Sequence, residues 1–268
     1  MLKLIFTTLM LSVILSMSHA QKLPNKQEIS VYAPVNIKID GKVIEWGSKF
    51  QAYNNTSRIY YTIANDDKNL YFIGRMDGVY GNEKALRGGI TFTIRSLEAE
   101  KNKLKDISVT FPTQSDPRKT EAITDNSYAY RGLGNDTITN KKKIDSLRVN
   151  TNKRMDNLFK EIGIVGIKDV QEPLISVYNE LDIKASAQFD NKMRYTYELA
   201  IPLKYLGVSV NSVQTFKYNI KLNGVPEKDL NGNTGVRFPD PTFGMSADNK
   251  YANFATDFSD EYILAKKP

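Results

Sequence analysis

The chain has no cysteine, a single histidine (His19) and a single tryptophan (Trp46) among 268 residues. The missing cysteine removes disulfides, thiolate nucleophiles and thiolate metal sites. Long apolar runs are also scarce: one lies near the N-terminus, and no later stretch reaches the roughly 20 apolar residues that a spanning helix needs. That first run has the order of a secretory signal, with Lys3, then apolar residues from Leu4 to Leu15, then Ser18-His19-Ala20 with small residues before a cleavage point. Residues 1–20 are therefore expected to be a signal peptide, cut between Ala20 and Gln21. The protein is expected to be exported, periplasmic or extracellular, with no transmembrane segment after cleavage. Cleavage takes His19 with it, so the mature chain would lack histidine too. Ser-His-Asp and Cys-His nucleophile systems, cysteine or histidine zinc sites and histidine-ligated haem all need a residue that is then absent. Carboxylate chemistry and oxygen-ligated metals survive this exclusion.

Charge is not scarce. The formal net charge is +7, and 37 basic residues less Lys3 leave 36 against 30 acidic ones. Much of the excess falls between Lys141 and Arg154, the pattern of a solvated face, and an exported chain does not meet the cytoplasmic nucleic-acid pool. No nucleic-acid partner is expected.

What the sequence does have is alternation. Ile59, Tyr61 and Ile63 recur with period two, as do Ile90, Phe92 and Ile94, and Ile107, Val109 and Phe111. In the second half Ile183, Ala185, Ala187 and Phe189 lead through Asp190-Asn191 into Tyr195, Tyr197, Leu199 and Ile201, and Phe216, Tyr218, Ile220 and Leu222 alternate again. Strands with one apolar and one polar face, punctuated by turns, predict a mostly β, antiparallel β-sandwich. Between Asn140 and Gly163 the apolar residues Ile144, Leu147, Met155, Leu158 and Ile162 step by three or four with one wider gap, predicting a helix near 140–163. Residues 117–130 are polar without clear periodicity, so 112–173 is expected as an insertion carrying that helix. The domain organisation expected is a leader at 21–36 followed by one domain over 37–268, with no internal repeat.

Local chemistry marks several boundaries. Asn65-Asp66-Asp67-Lys68-Asn69 is a hairpin loop of side chains that bond their own backbone, and Pro202 ends a strand because proline cannot donate to the ladder. Asp40-Gly41 suggests a tight turn with Ile39 and Val43 as flanking strand residues. Three segments then stand in order: Ile39-Asp40-Gly41 with Glu45-Trp46; the stretch from Tyr61 to Phe72 around Asn65-Asp66; and Glu198-Leu199-Ala200-Ile201-Pro202 with Leu206-Gly207. Together they resemble the family-nine carbohydrate-binding modules and their DOMON-like relatives. The resemblance implies a sandwich of DOMON-like or jelly-roll type, with a glycan or sugar end as ligand. Sugar-binding members clamp the sugar between two tryptophans; this chain has one, in a position expected of a core anchor. Haem-binding relatives use methionine with histidine or lysine, and haem is not expected here. Family-nine modules carry structural calcium; Asp229-Leu230-Asn231-Gly232-Asn233 has alternating oxygens but neither the glycine spacing nor the closing glutamate of an EF-hand, so it reads as a turn and the metal stays unassigned.

Sugars are held by aromatic faces and planar polar groups, and tyrosine can replace tryptophan. The candidate ligand-binding residues are Tyr80, Arg87, Tyr128, Tyr130, Asn223 and Tyr251, placed in loops and at strand ends. The leading expectation is a secreted or periplasmic, non-catalytic carbohydrate-binding protein. The alternatives are an envelope interaction or scaffold protein on the same fold, and a carboxylate-based glycoside hydrolase drawing on Asp240, Asp257, Asp260 or Glu261.

Overall fold

The computed structural model describes residues 22–47, 49–95, 106–113, 117–133, 138–168, 170–207, 215–224 and 247–268. The expected signal peptide, the Asp229–Asn233 turn and Asp240 lie outside the described residues. Eleven strands among the described residues form two antiparallel sheets. The first has five strands: β1 (Ala52–Asn54), β2 (Ile59–Asn65), β3 (Asn69–Met76), β9 (Tyr195–Pro202) and β8 (Lys184–Phe189), in that spatial order. The second has six, ordered β11 (Thr256–Ile263), β10 (Thr215–Leu222), β4 (Ile90–Arg95), β5 (Ile107–Phe111), β6 (Glu161–Val165) and β7 (Leu174–Ser176). Among the described residues four α-helices join them: α1 (Gly78–Gly88), α2 (Glu121–Arg131), α3 (Ile138–Leu158) and α4 (Ala247–Asn253). None of the described helices is long and apolar enough to cross a membrane.

The sheets pack face to face through the alternating residues. Phe72 of β3 stacks on Phe92 of β4 at 5.2 Å, Tyr61 of β2 lies 5.0 Å from Phe258 of β11, and Phe111 of β5 lies 6.3 Å from Tyr197 of β9, ring centre to ring centre. These rings and the isoleucines beside them are fully or nearly fully buried, which removes their apolar surface from water at roughly 25 cal/mol per Å².

The two outer faces differ. That of the six-stranded sheet is polar and tied by hydroxyl pairs, Thr91 to Thr110 and Thr93 to Ser108, each at 2.8 Å. The five-stranded sheet is buried on both faces over most of β2, β3 and β9. Residues 22–47 cross its outer side, where Ala33 and Val43 form a second apolar cluster with Phe50, Tyr71, Ile73 and Ala200. The expected leader is thus part of the packed domain. It also closes the open edge of β2: Gln27 exchanges two hydrogen bonds with the backbone of Ile63, at 2.7 and 2.8 Å, and Ala33 donates to the carbonyl of Asn65 at 2.8 Å. Such coverage satisfies strand groups that would otherwise invite another chain.

The Asx hairpin forms as its residues dictate, with Asp66 Oδ1 accepting from the N–H groups of Lys68 and Asn69 at 2.7 and 2.6 Å. Three local expectations need correction. The helix expected near 140–163 spans Ile138–Leu158, and residues 161–165 are β6, paired with β5. Ile162 satisfies either period, and the alternation of Ile162 with Ile164 decides for the strand. The polar stretch 117–130 is also largely helical: α2 has a buried Ile123 and a half-buried Tyr130, which pack on the sandwich, with Thr124 and Ser127 also buried, while Glu121, Ala122, Asp125 and Ala129 face outward. Ile39 and Val43 are not strand residues. The N–H groups around Asp40-Gly41 are taken by a side chain instead of a partner strand, as described next.

Candidate functional site

The segments that carry the family resemblance meet in space. Glu198, on the outer face of β9, has no solvent exposure. Its Oε2 accepts the N–H groups of Asp40 and Gly41 at 3.0 and 2.8 Å, and its Oε1 accepts the indole N–H of Trp46 at 3.0 Å. Gly41 has φ of +82°, and a Cβ there would lie 2.9 Å from the carbonyl carbon of Ala187, so the turn admits only glycine comfortably. Burial pushes the Glu198 carboxyl up to about 7 against the pull of its three donors. Trp46 is half-buried, edge-on to Tyr71 at 5.6 Å. It anchors the strap of residues 38–47 and is not a free stacking platform.

The six expected binding residues do not share one face. Tyr80, Arg87 and Tyr128 come together on α1 and α2, where Tyr80 meets Tyr128 edge-on at 6.3 Å. Between them Glu83 takes the Tyr128 hydroxyl at 2.6 Å and the Arg87 guanidinium at 2.8 Å, so these polar groups serve each other. These residues are helical and not in loops, and Arg87 lies in the last turn of α1 rather than at a strand start. Tyr130 packs against the core. Asn223 follows β10 as expected and donates to Thr91 Oγ1 at 3.0 Å. Tyr251, expected in a late loop, is in α4 and only 8% exposed, with its hydroxyl on the Ser57 carbonyl at 2.7 Å.

The Tyr251 ring has two cations on it, Arg58 at 4.5 Å and Lys84 at 4.2 Å from its centre. Arg58 is paired with Asp248 at 2.6 Å. Lys84 is fully buried and donates to Thr256 Oγ1 at 2.9 Å, with no carboxylate among the described residues in ion-pair range. Burial, helped by the Arg58 charge, lowers its ammonium to about 8.

Of the acidic candidates, Asp257 accepts from Asn219 at 2.8 Å, Asp260 pairs with Lys26 at 3.5 Å and Glu261 with Lys217 at 3.9 Å, all along β11.

The open ground lies at the other end of the five-stranded sheet. Strand β8 is its edge. At one end Asn152 of α3 imitates a neighbouring strand, accepting the Phe189 N–H at 2.7 Å and donating to its carbonyl at 3.0 Å. At the other, Asn179 donates to the carbonyl of Ile183 at 2.8 Å. Residues 183 and 189 therefore turn their backbone groups outward, and the period of two does the same for Ala185 and Ala187. No described residue bonds the outward groups of these two alanines. They line a cleft of about 510 Å³ between β8 and the C-terminal part of α3.

Tyr178 stands at the mouth of this cleft and is 80% exposed. Asn179 holds the turn that presents it, bonding the Ser176 carbonyl at 2.8 Å and the Leu181 N–H at 3.0 Å. Lys160 Nζ lies 5.6 Å from the ring centre, and Asp156 and Ser186 line the same cleft. A second cleft of about 930 Å³ lies on the outer face of the sheet and shares Ile39 and Lys184 with the first. Tyr178 escapes a sequence reading because no periodic pattern or motif marks it, and it falls out of phase with Ile175 and Val177; only the Asn beside it hints at a bend.

No family model and no curated protein sequence matches the chain.

Proposed function

We propose that this protein is an exported, non-catalytic, glycan-binding β-sandwich of the family-nine carbohydrate-binding or DOMON-like type, and that the glycan lies in the trough along β8. The observation that carries the reading is Tyr178, an aromatic ring 80% exposed beside a cleft. A ring so placed can stack on the C–H face of a sugar, while the outward N–H and C=O groups of Ala185 and Ala187 and the side chains of Asp156 and Lys160 offer fixed partners for hydroxyls. The single-tryptophan objection loses force here, since the stacking residue is a tyrosine distant in sequence from Trp46. The type assignment is supported by the union of Asp40-Gly41, Trp46 and Glu198 in one hydrogen-bonded unit, because these belong to the segments that carry the resemblance.

The test is a glycan array followed by calorimetry on the full chain and on Tyr178→Ala. At 80% exposure the substitution should leave stability within about 0.5 kcal/mol and weaken binding by about tenfold or more. Equal binding by the variant, or no glycan bound by the native chain, would overturn the reading.

A further inference from the structure

The larger cleft has a charge that the glycan reading does not by itself require. Its rim carries four lysines, Lys38, Lys68, Lys184 and Lys204, against two aspartates, Asp67 and Asp182. All four lysines are exposed. Only Lys184 has a carboxylate within ion-pair distance, Asp182 at 4.0 Å; the other three have none among the described residues. Asp67 lies beside the Tyr32 phenol. The neighbouring Asp66 is turned into its own hairpin, accepting the Tyr71 hydroxyl at 2.7 Å as well as two backbone N–H groups. Two ammonium groups in excess thus surround a floor that includes Tyr71, Ala200 and Pro202.

We propose that this cleft binds the acidic residues of a carboxylate-bearing glycan, an inference that rests on the glycan reading above. A concave surface lined by one sign of charge over a low-dielectric floor concentrates field lines and draws in the opposite charge. The same floor spares the lysines part of the solvent screening felt on a convex face. Tyr71, Ala200 and Pro202 are buried and form only the low-dielectric floor; the half-buried Ile37 and Ile39 beside them provide apolar surface for a pyranose ring, and the lysines take the uronate carboxylates as ammonium point charges. Continuity with the Tyr178 cleft through Ile39 and Lys184 makes one trough in which a chain of acidic sugars is stacked at one end and neutralised at the other.

Calorimetry on the full chain with tetragalacturonate and with its fully methyl-esterified form separates charge from sugar recognition, since the two differ only in the carboxylates. The acid should bind at least about tenfold more tightly than the ester, and its affinity should fall steeply between 50 and 500 mM salt, as exposed charges are screened over about 8 Å near physiological ionic strength. The double variant Lys68→Gln with Lys204→Gln should lose the preference for the acid, with an unchanged circular dichroism spectrum. Equal affinity for acid and ester would overturn the charge inference and leave the glycan reading standing. A preference for the acid that survives the double variant would overturn the assignment to this cleft. If neither form binds and the array shows no other glycan, the glycan reading fails and takes this inference with it.

Discussion

Glu198 and Trp46, 152 positions apart, are joined by a 3.0 Å hydrogen bond from the indole N–H to the buried carboxylate. The same carboxylate collects the N–H groups of Asp40 and Gly41. One side chain on β9 thereby fixes the turn and the ring of a strap that would otherwise have no strand to pair with. The arrangement separates the roles of packing and hydrogen bonding at Trp46. Trp46→Phe keeps a ring against Tyr71 but removes the donor. Loss of about 1–3 kcal/mol is expected, the cost of a buried acceptor deprived of a partner; Trp46→Ala should lose about 3 kcal/mol or more. Urea denaturation of the two variants beside the native chain checks both values.

Glu198 also makes stability depend on pH. Its folded value, about 7, lies above the ordinary 4.5, so the folded state holds this proton where the unfolded chain has released it. The contribution is complete below pH 4.5 and is lost as pH rises through 7, by an amount on the order of 3 kcal/mol. Denaturation midpoints measured from pH 4 to pH 8 should show this decline in the native chain and a flatter profile in Glu198→Gln, at lower absolute stability.

Lys84 has the opposite sign. Its folded value of about 8 lies below the ordinary 10.5, so the unfolded chain binds this proton more readily. Below about pH 8 the group imposes a steady cost, which is relieved as pH rises from about 8 to 10.5. Lys84→Met, similar in length and uncharged, should raise stability at pH 7 by on the order of 2 kcal/mol and remove the alkaline rise. A variant less stable than the native chain at pH 7 would show that the contacts with Thr256 and the Tyr251 ring outweigh the cost of burial.

Asn152 guards the β8 edge. Asn152→Ala leaves both backbone groups of Phe189 without partners, for an expected loss of about 2 kcal/mol or more. It also lengthens the open edge next to Ala185 and Ala187, so concentration-dependent self-association should increase, as read by analytical ultracentrifugation.

The alternating runs were legible because period two is a local property. Phe92, Phe216 and Tyr218 had to point one way and their polar neighbours the other, and the hairpin at Asp66 followed from side chains that bond their own backbone. Ile162 was less legible because it satisfies both periods until the partner strand is known. The candidate tyrosines were misplaced for a related reason. Tyr80, Tyr128 and Tyr251 lie in helices whose apolar faces are short and mixed, so their sequence resembles loop.

The sequence by itself determined the alternating strands, the turns between them, and the absence of cysteine and of any histidine beyond His19, since each depends on residue type or on neighbours a few positions away. Tertiary structure alone decided that Glu198 holds Trp46, that residues 22–47 cover a sheet face, that Asn152 completes the β8 edge and that Tyr178 stands exposed above a cleft. Each of these joins groups far apart in the chain or depends on what the rest of the fold leaves uncovered, and neither pairing nor exposure at such range is encoded in any local pattern.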